Sequence, residues 1–202
     1  MLRVAVLVSG GGTNLQAIID AQTSGVIKDA KVQLVVSNVL SAYALERAKN
    51  ANIKTAVVRK KDFENVALWE KALSDLLIEN KIDLIVLAGF MTILSADFVN
   101  KFPDKIINVH PALIPSFCGE GFYGLKVHEA ALEKGVKITG ATVHYVNEIA
   151  DGGKIIMQKA VEVMDTDTPE ILQKRVMQQA EWDILPRAIQ LIAEQTIDKT
   201  EN

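Results

Sequence analysis

Val4-Ala5-Val6-Leu7-Val8 is an apolar, branch-rich run, and Ser9-Gly10-Gly11-Gly12-Thr13-Asn14 follows it as a glycine turn before Leu15-Gln16-Ala17-Ile18-Ile19 begins a helix. Strand, turn, helix is the first unit of an α/β sheet, and the chain repeats it. Residues 32–36 read as a second strand and 42–50 as a second helix; 55–58 read as a third, shorter strand. Residues 63–79 carry Val66, Leu68, Trp69, Leu73, Leu76 and Leu77 near helical spacing. Leu84-Ile85-Val86-Leu87-Ala88 is apolar throughout, as a parallel strand buried on both faces must be. Ser95 then caps a short helix to Asn100, and 106–109 form a fifth strand. Alternation of this kind predicts an open, mostly parallel sheet covered by helices.

Beyond Pro115 the pattern changes. Residues 116–124 form a loop rich in glycine and aromatics, and 125–134 a helix. Residues 142–146 and 155–163 read as strands around the turn Asp151-Gly152-Gly153, which predicts an antiparallel hairpin. Asp167-Thr168-Pro169-Glu170 combines a polar cap, proline in the first turn and an acid at the positive end of the helix dipole. The helix it starts is expected to reach about Glu194, with a kink at Pro186.

At 202 residues and 49% hydrophobic content the chain can bury a full core as one domain, residues 1–202. Its net charge of −3 gives no reason to expect nucleic acid or an anionic membrane as partner, so an anionic ligand must be held by local geometry. The apolar start is broken by glycines and reads as a strand, not a leader, and no run reaches the ~20 apolar residues that span a bilayer. A single cysteine, Cys118, cannot form an internal disulfide, which fits a cytoplasmic protein, and it reads as a loop residue. His110, His128 and His144 share no metal-ligand spacing, so no metal is expected. His128 reads as a surface position on its helix, and His144 as a partly buried strand residue.

Ile107-Asn108-Val109-His110-Pro111 places a carboxamide and an imidazole two residues apart at a strand end. Alternation along a strand puts Asn108 and His110 on one side and Val109 in the core. An amide can donate to a developing oxyanion, and an imidazole can move a proton near neutral pH. The residues alone leave two readings open: an acyl-transfer site, or a strand end whose polar side chains satisfy loop backbone. The glycine turn is likewise either a phosphate cradle at a helix N-terminus or merely a tight turn. It lacks the third glycine and the ribose-binding acid of a dinucleotide fingerprint, and a lysine for a triphosphate. A monophosphate held by Gly12, Thr13 and Asn14 fits it better.

Taken together, VLVSGGGTNLQAII, VLAGFMTILS, NVHPALIP, HYVNEIADGG and the spacing from Glu181 to Pro186 resemble the folate-dependent glycinamide ribonucleotide transformylase family, over nearly the whole chain and in the family's order. The resemblance implies the formyltransferase fold, a Rossmann-like, open, mostly parallel twisted sheet that continues into antiparallel C-terminal strands. It implies formyl transfer from 10-formyltetrahydrofolate, as cosubstrate, to the amine of 5-phosphoribosyl-glycinamide in purine biosynthesis, through a metal-free tetrahedral intermediate. Asn108, His110 and Asp151 then match the catalytic set. Gly12, Thr13 and Asn14 match the phosphate site, with Gln178 and Glu181 at the ribose. Met91, Thr92, Ile93 and Leu94, with Asn108, Val146, Asn147, Glu148, Ile149 and Ala150, fall where the family binds folate. Partners are expected to be small molecules, with no nucleic acid and no membrane, and the assembly a monomer or homodimer.

Two positions depart from the family pattern. Thr92 stands where arginine is usual, and the 116–123 loop is longer than is common and carries Cys118. Formyltetrahydrofolate hydrolase is the nearest competing activity, and a non-enzymatic nucleotide-binding module the competing class. The module gives no reason for Asn108, His110 and Asp151 to occur together.

Overall fold

The computed structural model describes residues 1–200. Seven strands form one sheet: β1 (Leu2–Val8), β2 (Ala30–Ser37), β3 (Lys54–Val57), β4 (Leu84–Leu87), β5 (Ile106–His110), β6 (Ile138–Tyr145) and β7 (Ile155–Glu162). Their spatial order is β3-β2-β1-β4-β5-β6-β7. The first four pairings are parallel, whereas β5–β6 and β6–β7 are antiparallel. The strand order reverses between β1 and β4, so their C-terminal ends open a crevice of the kind in which α/β sheets bind ligands. The glycine turn follows β1 and the segment of Met91 to Leu94 follows β4, one on each side of it.

Alternation along each strand divides the core in two. Val4, Val6 and Val8 join one apolar cluster with Ile107, Val109 and the C-terminal helices. Ala5, Leu7, Ile85 and Ile106 join the other with Trp69, Leu73 and Leu77. Helices cover both faces: α1 (Thr13–Thr23), α2 (Tyr43–Asn50), α3 (Val66–Glu79), α4 (Ala96–Asn100), α5 (Leu125–Lys134), α6 (Pro169–Val176) and α7 (Trp182–Thr200). Asn65, Ser95 and Thr168 cap α3, α4 and α6 through side-chain oxygens that accept backbone N–H bonds. No helix among the described residues is long and apolar enough to cross a membrane.

Three expectations need correction. Residues 169–200 do not form one helix kinked at Pro186, which lies inside α7. The break comes earlier, as a π-helical turn at Met177–Glu181 between α6 and α7. Such a turn shifts the hydrogen-bond pattern by one residue, and here it contains both Gln178 and Glu181. His128 is not on the surface: it is completely buried, because α5 turns Val127, His128 and Ala131 inward together. His144 is likewise almost wholly buried, at 2% exposure.

Candidate active site

The site is assembled around β5. Val109 enters the core as strand alternation requires, leaving Asn108 and His110 on the opposite side of the strand. His110 is 4% exposed, and its Nε2 lies 2.8 Å from the Phe117 carbonyl oxygen. Its Nδ1 lies 3.4 Å from Asp151 Oδ2. A carbonyl and a carboxylate only accept, so both ring nitrogens of His110 face acceptors. Asp151 reaches across from the turn after β6, where its own φ of 54° is a left-handed conformation that aspartate tolerates. Close behind it, a Cβ on Gly153 would stand 1.7 Å from the Tyr145 carbonyl oxygen, so only glycine lets the chain re-enter β7 there.

Asp151 is held from several sides. Its Oδ2 accepts the Gly119 N–H at 2.9 Å, and its Oδ1 lies 3.5 Å from His144 Nε2. Burial alone would raise its carboxyl pKa. The hydrogen bonds from His144 and Gly119 and the charges of the two imidazoles outweigh that and hold it below the usual carboxylate value. Cys118 sits in the same loop, and its thiol is pushed up by burial and by the Asp151 charge, which keeps it a poor nucleophile. The reading of Cys118 as a loop residue agrees with this.

The 116–123 loop therefore lies against His110 and Asp151. Phe117 offers its carbonyl to His110 and Gly119 its N–H to Asp151, with φ of 49° and 89° at these two residues.

At the glycine turn, Gly12 caps α1 at φ 71° with no side-chain hydrogen bond, so the first-turn N–H groups have no capping side chain. Arg47 braces the turn through Nε to the Gly11 carbonyl at 2.8 Å. Asn14 Nδ2 donates to Glu181 Oε2 at 2.7 Å, which ties α1 to the π turn. Burial raises the Glu181 carboxyl to about 7, the Asn14 bond opposing it only in part. Asn14 Oδ1 is buried with no hydrogen-bond partner. Gln178 lies in the same π turn.

On the other side of the crevice, the Met91 N–H donates to Ser9 Oγ at 2.9 Å, and Asn38 Nδ2 donates to Thr92 Oγ1 at 2.7 Å. Thr92, the departure from the family's arginine, is thus engaged with the loop after β2. Leu94 and Val146 both pack on the second apolar cluster, while Met91, Ile93 and Ile149 remain 58, 82 and 65% exposed. Asn147 Oδ1 accepts the Ile149 N–H at 3.0 Å, shaping the turn that also carries Glu148 and Ala150. Among the described residues, no group of three or more His, Cys, Asp or Glu is arranged to hold a metal ion.

Residues 2–189 match the family model described as formyl transferase. The chain belongs to the formyl transferase family. Within it, the chain is 44% identical over 194 residues to phosphoribosylglycinamide formyltransferase of Haemophilus influenzae, covering 96% of this chain and 88% of that protein. It is 45% identical over 200 residues to the human trifunctional purine biosynthetic protein adenosine-3, covering 99% of this chain but only 19% of that longer protein. The crystal structure of glycinamide ribonucleotide transformylase 1 from Symbiobacterium toebii superposes with a TM-score of 0.90 at 40% identity, over 96% of this chain and 89% of that one. The observed sheet, parallel with antiparallel C-terminal strands, is the architecture the resemblance implied.

Within this formyl transferase fold, three residues enter the site that sequence reasoning did not place there. His144 joins it through the β5–β6 register, which sets it opposite Asn108. Arg47 arrives through α2, and Ser9 braces Met91 across the switch point. Only Ser9 carried a local signal, since it directly precedes the glycines.

Proposed function

We propose that this chain transfers the formyl group of 10-formyltetrahydrofolate to the primary amine of 5-phosphoribosyl-glycinamide, the activity for which its Haemophilus relative is named. The observation that carries this reading is the gathering of Asn108, His110 and Asp151 around His144, at the same C-terminal edge of the parallel strands as an α1 N-terminus without a side-chain cap. The amine attacks the formyl carbon, a C–N bond forms, and the carbonyl oxygen becomes an oxyanion. Asn108 and the His110 imidazolium donate to that oxygen. His110 and a water held by Asp151 relay the proton from the attacking nitrogen to folate N10. The C–N10 bond then breaks and tetrahydrofolate leaves. His110 must exchange its bond to the Phe117 carbonyl for one to the formyl oxygen, so the 116–123 loop yields during each turnover.

Gly12, Thr13 and Asn14 hold the phosphate, with Gln178 and Glu181 toward the ribose. Folate lies against Met91, Thr92, Ile93 and Leu94 and against the turn from Val146 to Ala150. The chain acts as a single cytoplasmic domain on small molecules, as a monomer or homodimer, without nucleic acid or membrane. No step needs a metal: an amide donor, an imidazolium and a relayed proton account for all of them. Formyl transfer is therefore expected to persist in excess EDTA. Activity lost to EDTA and restored by zinc would contradict the mechanism.

Testing the phosphate turn requires choosing the right glycine. A Cβ on Gly12 would lie 2.5 Å from Ala44 Cβ on a backbone of φ 71°, so Gly12→Val would disturb the packing of α1 on α2 whatever it did to binding. A Cβ on Gly11 meets nothing within 4 Å. Gly11→Val is thus expected to fold normally while weakening glycinamide ribonucleotide binding by roughly tenfold or more, about 1.4 kcal/mol. Folate binding should be retained. Calorimetry showing equal loss of both ligands, or of neither, would mean that the turn is structural only.

A further inference from the structure

We infer that Arg47 is a positioning residue for phosphate recognition: by holding the Gly11 carbonyl it turns the Gly12 N–H outward as a donor to the phosphate. The inference rests on the reading of Gly12, Thr13 and Asn14 as the phosphate site and says what aims its first donor. In a trans peptide the C=O and the N–H that follows it point in opposite directions. Among the described residues the one cis peptide bond is Ile114–Pro115, so the whole glycine turn is trans. Whatever holds a carbonyl there also aims the next N–H. Three successive carbonyls are held: Gly10 accepts the Ala44 N–H at 3.1 Å, Gly11 accepts Arg47 Nε at 2.8 Å, and Gly12 accepts the Gln16 N–H at 2.9 Å. The N–H groups of Gly11, Gly12 and Thr13 are thereby turned away from those partners, and none of the three donates a hydrogen bond among the described residues. Gly12 is left-handed at φ 71° and α1 follows it right-handed, the backbone sequence in which successive N–H groups form an anion nest.

Two of these carbonyls are held by backbone N–H groups, which almost any residue supplies. The Gly11 carbonyl alone is held by a side chain, so the aim of the Gly12 N–H depends on which residue stands at 47. Arg47 is itself clamped from two further sides. Its Nη1 donates to Gln16 Oε1 at 3.0 Å, and its guanidinium carbon lies 5.0 Å from the centroid of the Tyr43 ring, one turn back along α2. A planar guanidinium fixed in this way holds Nε against Gly11 with little freedom to turn. Nε and Nη1 are both committed to protein acceptors, so Arg47 acts on the phosphate through the Gly11–Gly12 peptide.

The test uses the full chain with Arg47→Met, Arg47→Gln and Arg47→Lys. Methionine keeps the stem and removes the donor. Glutamine places its Nε2 directly after Cδ, as arginine places Nε, so it keeps an N–H donor at the same reach without the charge. Lysine keeps the charge but moves the donor one atom outward. Each protein is assayed with glycinamide ribonucleotide and with the dephosphorylated nucleoside, measuring kcat, KM for both substrates and Tm. In Arg47→Met, kcat/KM for the ribonucleotide is expected to fall about tenfold or more, the effect of one hydrogen bond to a charged group, and the fall should lie in KM. The values for the nucleoside and the KM for 10-formyltetrahydrofolate should stay within about threefold, whereas a merely structural role would impair both substrates alike. Glutamine should recover most of the loss. An unchanged preference for the ribonucleotide in Arg47→Met overturns the inference, as does recovery by lysine but not by glutamine, which would mean that the charge acts directly. If methionine prevents folding, the glutamine variant decides: phosphate preference lost at parental Tm overturns the inference. A parent protein that does not favour ribonucleotide over nucleoside is a different outcome, and it removes the phosphate site itself and the inference with it.

Discussion

His110→Asn is expected to lower the rate of formyl transfer by something like 10²–10⁴-fold, the span usual for a group that both stabilises charge and moves a proton. Asparagine keeps a polar side chain of similar reach in the 4%-exposed position but can neither carry charge nor act as an acid. Asp151→Asn should fall in the same range. It preserves shape while deleting the carboxylate that faces His110 Nδ1 at 3.4 Å and accepts the Gly119 N–H. Both variants should still bind glycinamide ribonucleotide, whose phosphate lies at the α1 N-terminus, and melt near the parent. Because the residues act as one unit, the double variant should be far less impaired than the product of the two effects. Steady-state kinetics showing full activity in either single variant, or simple multiplication, would show that the constellation is scaffolding.

The second large effect concerns stability against pH, where two buried groups oppose each other. His128 is fully enclosed with neither ring nitrogen hydrogen-bonded, and burial, helped by the nearby His110 charge, lowers it from 6.5 to about 4. Its folded pKa is depressed, so the stability it contributes is present above 6.5 and lost as pH falls toward 4. Glu181 is raised from 4.5 to about 7, so its contribution is present below 4.5 and lost as pH rises through 7. Each difference corresponds to roughly 3 kcal/mol, and between about pH 4.5 and 6.5 the two slopes nearly cancel. His128→Leu should expose the Glu181 slope, with stability falling as pH rises from 4.5 to 7. Glu181→Gln should expose the opposite slope, with stability rising from pH 4 to 6.5. Urea titrations across this range check both, and curves parallel to the parent in either variant would refute the assignment.

What the sequence made legible follows from which interactions are local. The alternation of Val4, Val6 and Val8 against Ala5 and Leu7 states that β1 is buried on both faces, and the structure divides the core on that pattern. Asn108 and His110 could be placed on one side of a strand because the period is two residues. The caps at Ser95 and Thr168 are equally local, and both form. Asp151, by contrast, is legible only through resemblance, since nothing near a turn says that its carboxylate will cross to a histidine 41 positions earlier.

His144 reads from the sequence as a partly buried strand residue because its pairing with Asn108 depends on a register between strands separated by a loop and a helix. His128 reads as a surface position although Val127 and Ala131 mark the inward face of its helix, because an unpartnered imidazole is a costly residue to bury. The π turn at Met177–Glu181 has no sequence signature of its own. Where a break was expected, at Pro186, the helix continues.

The most direct measurement follows both fates of the formyl group. Purified protein would be mixed with 10-formyltetrahydrofolate and glycinamide ribonucleotide, and tetrahydrofolate, formylated ribonucleotide and free formate quantified together. The account predicts one formylated product for each tetrahydrofolate released, little formate, and almost no tetrahydrofolate when the ribonucleotide is omitted. Tetrahydrofolate released with stoichiometric formate, and at the same rate without the amine, would make the chain a hydrolase and contradict the account.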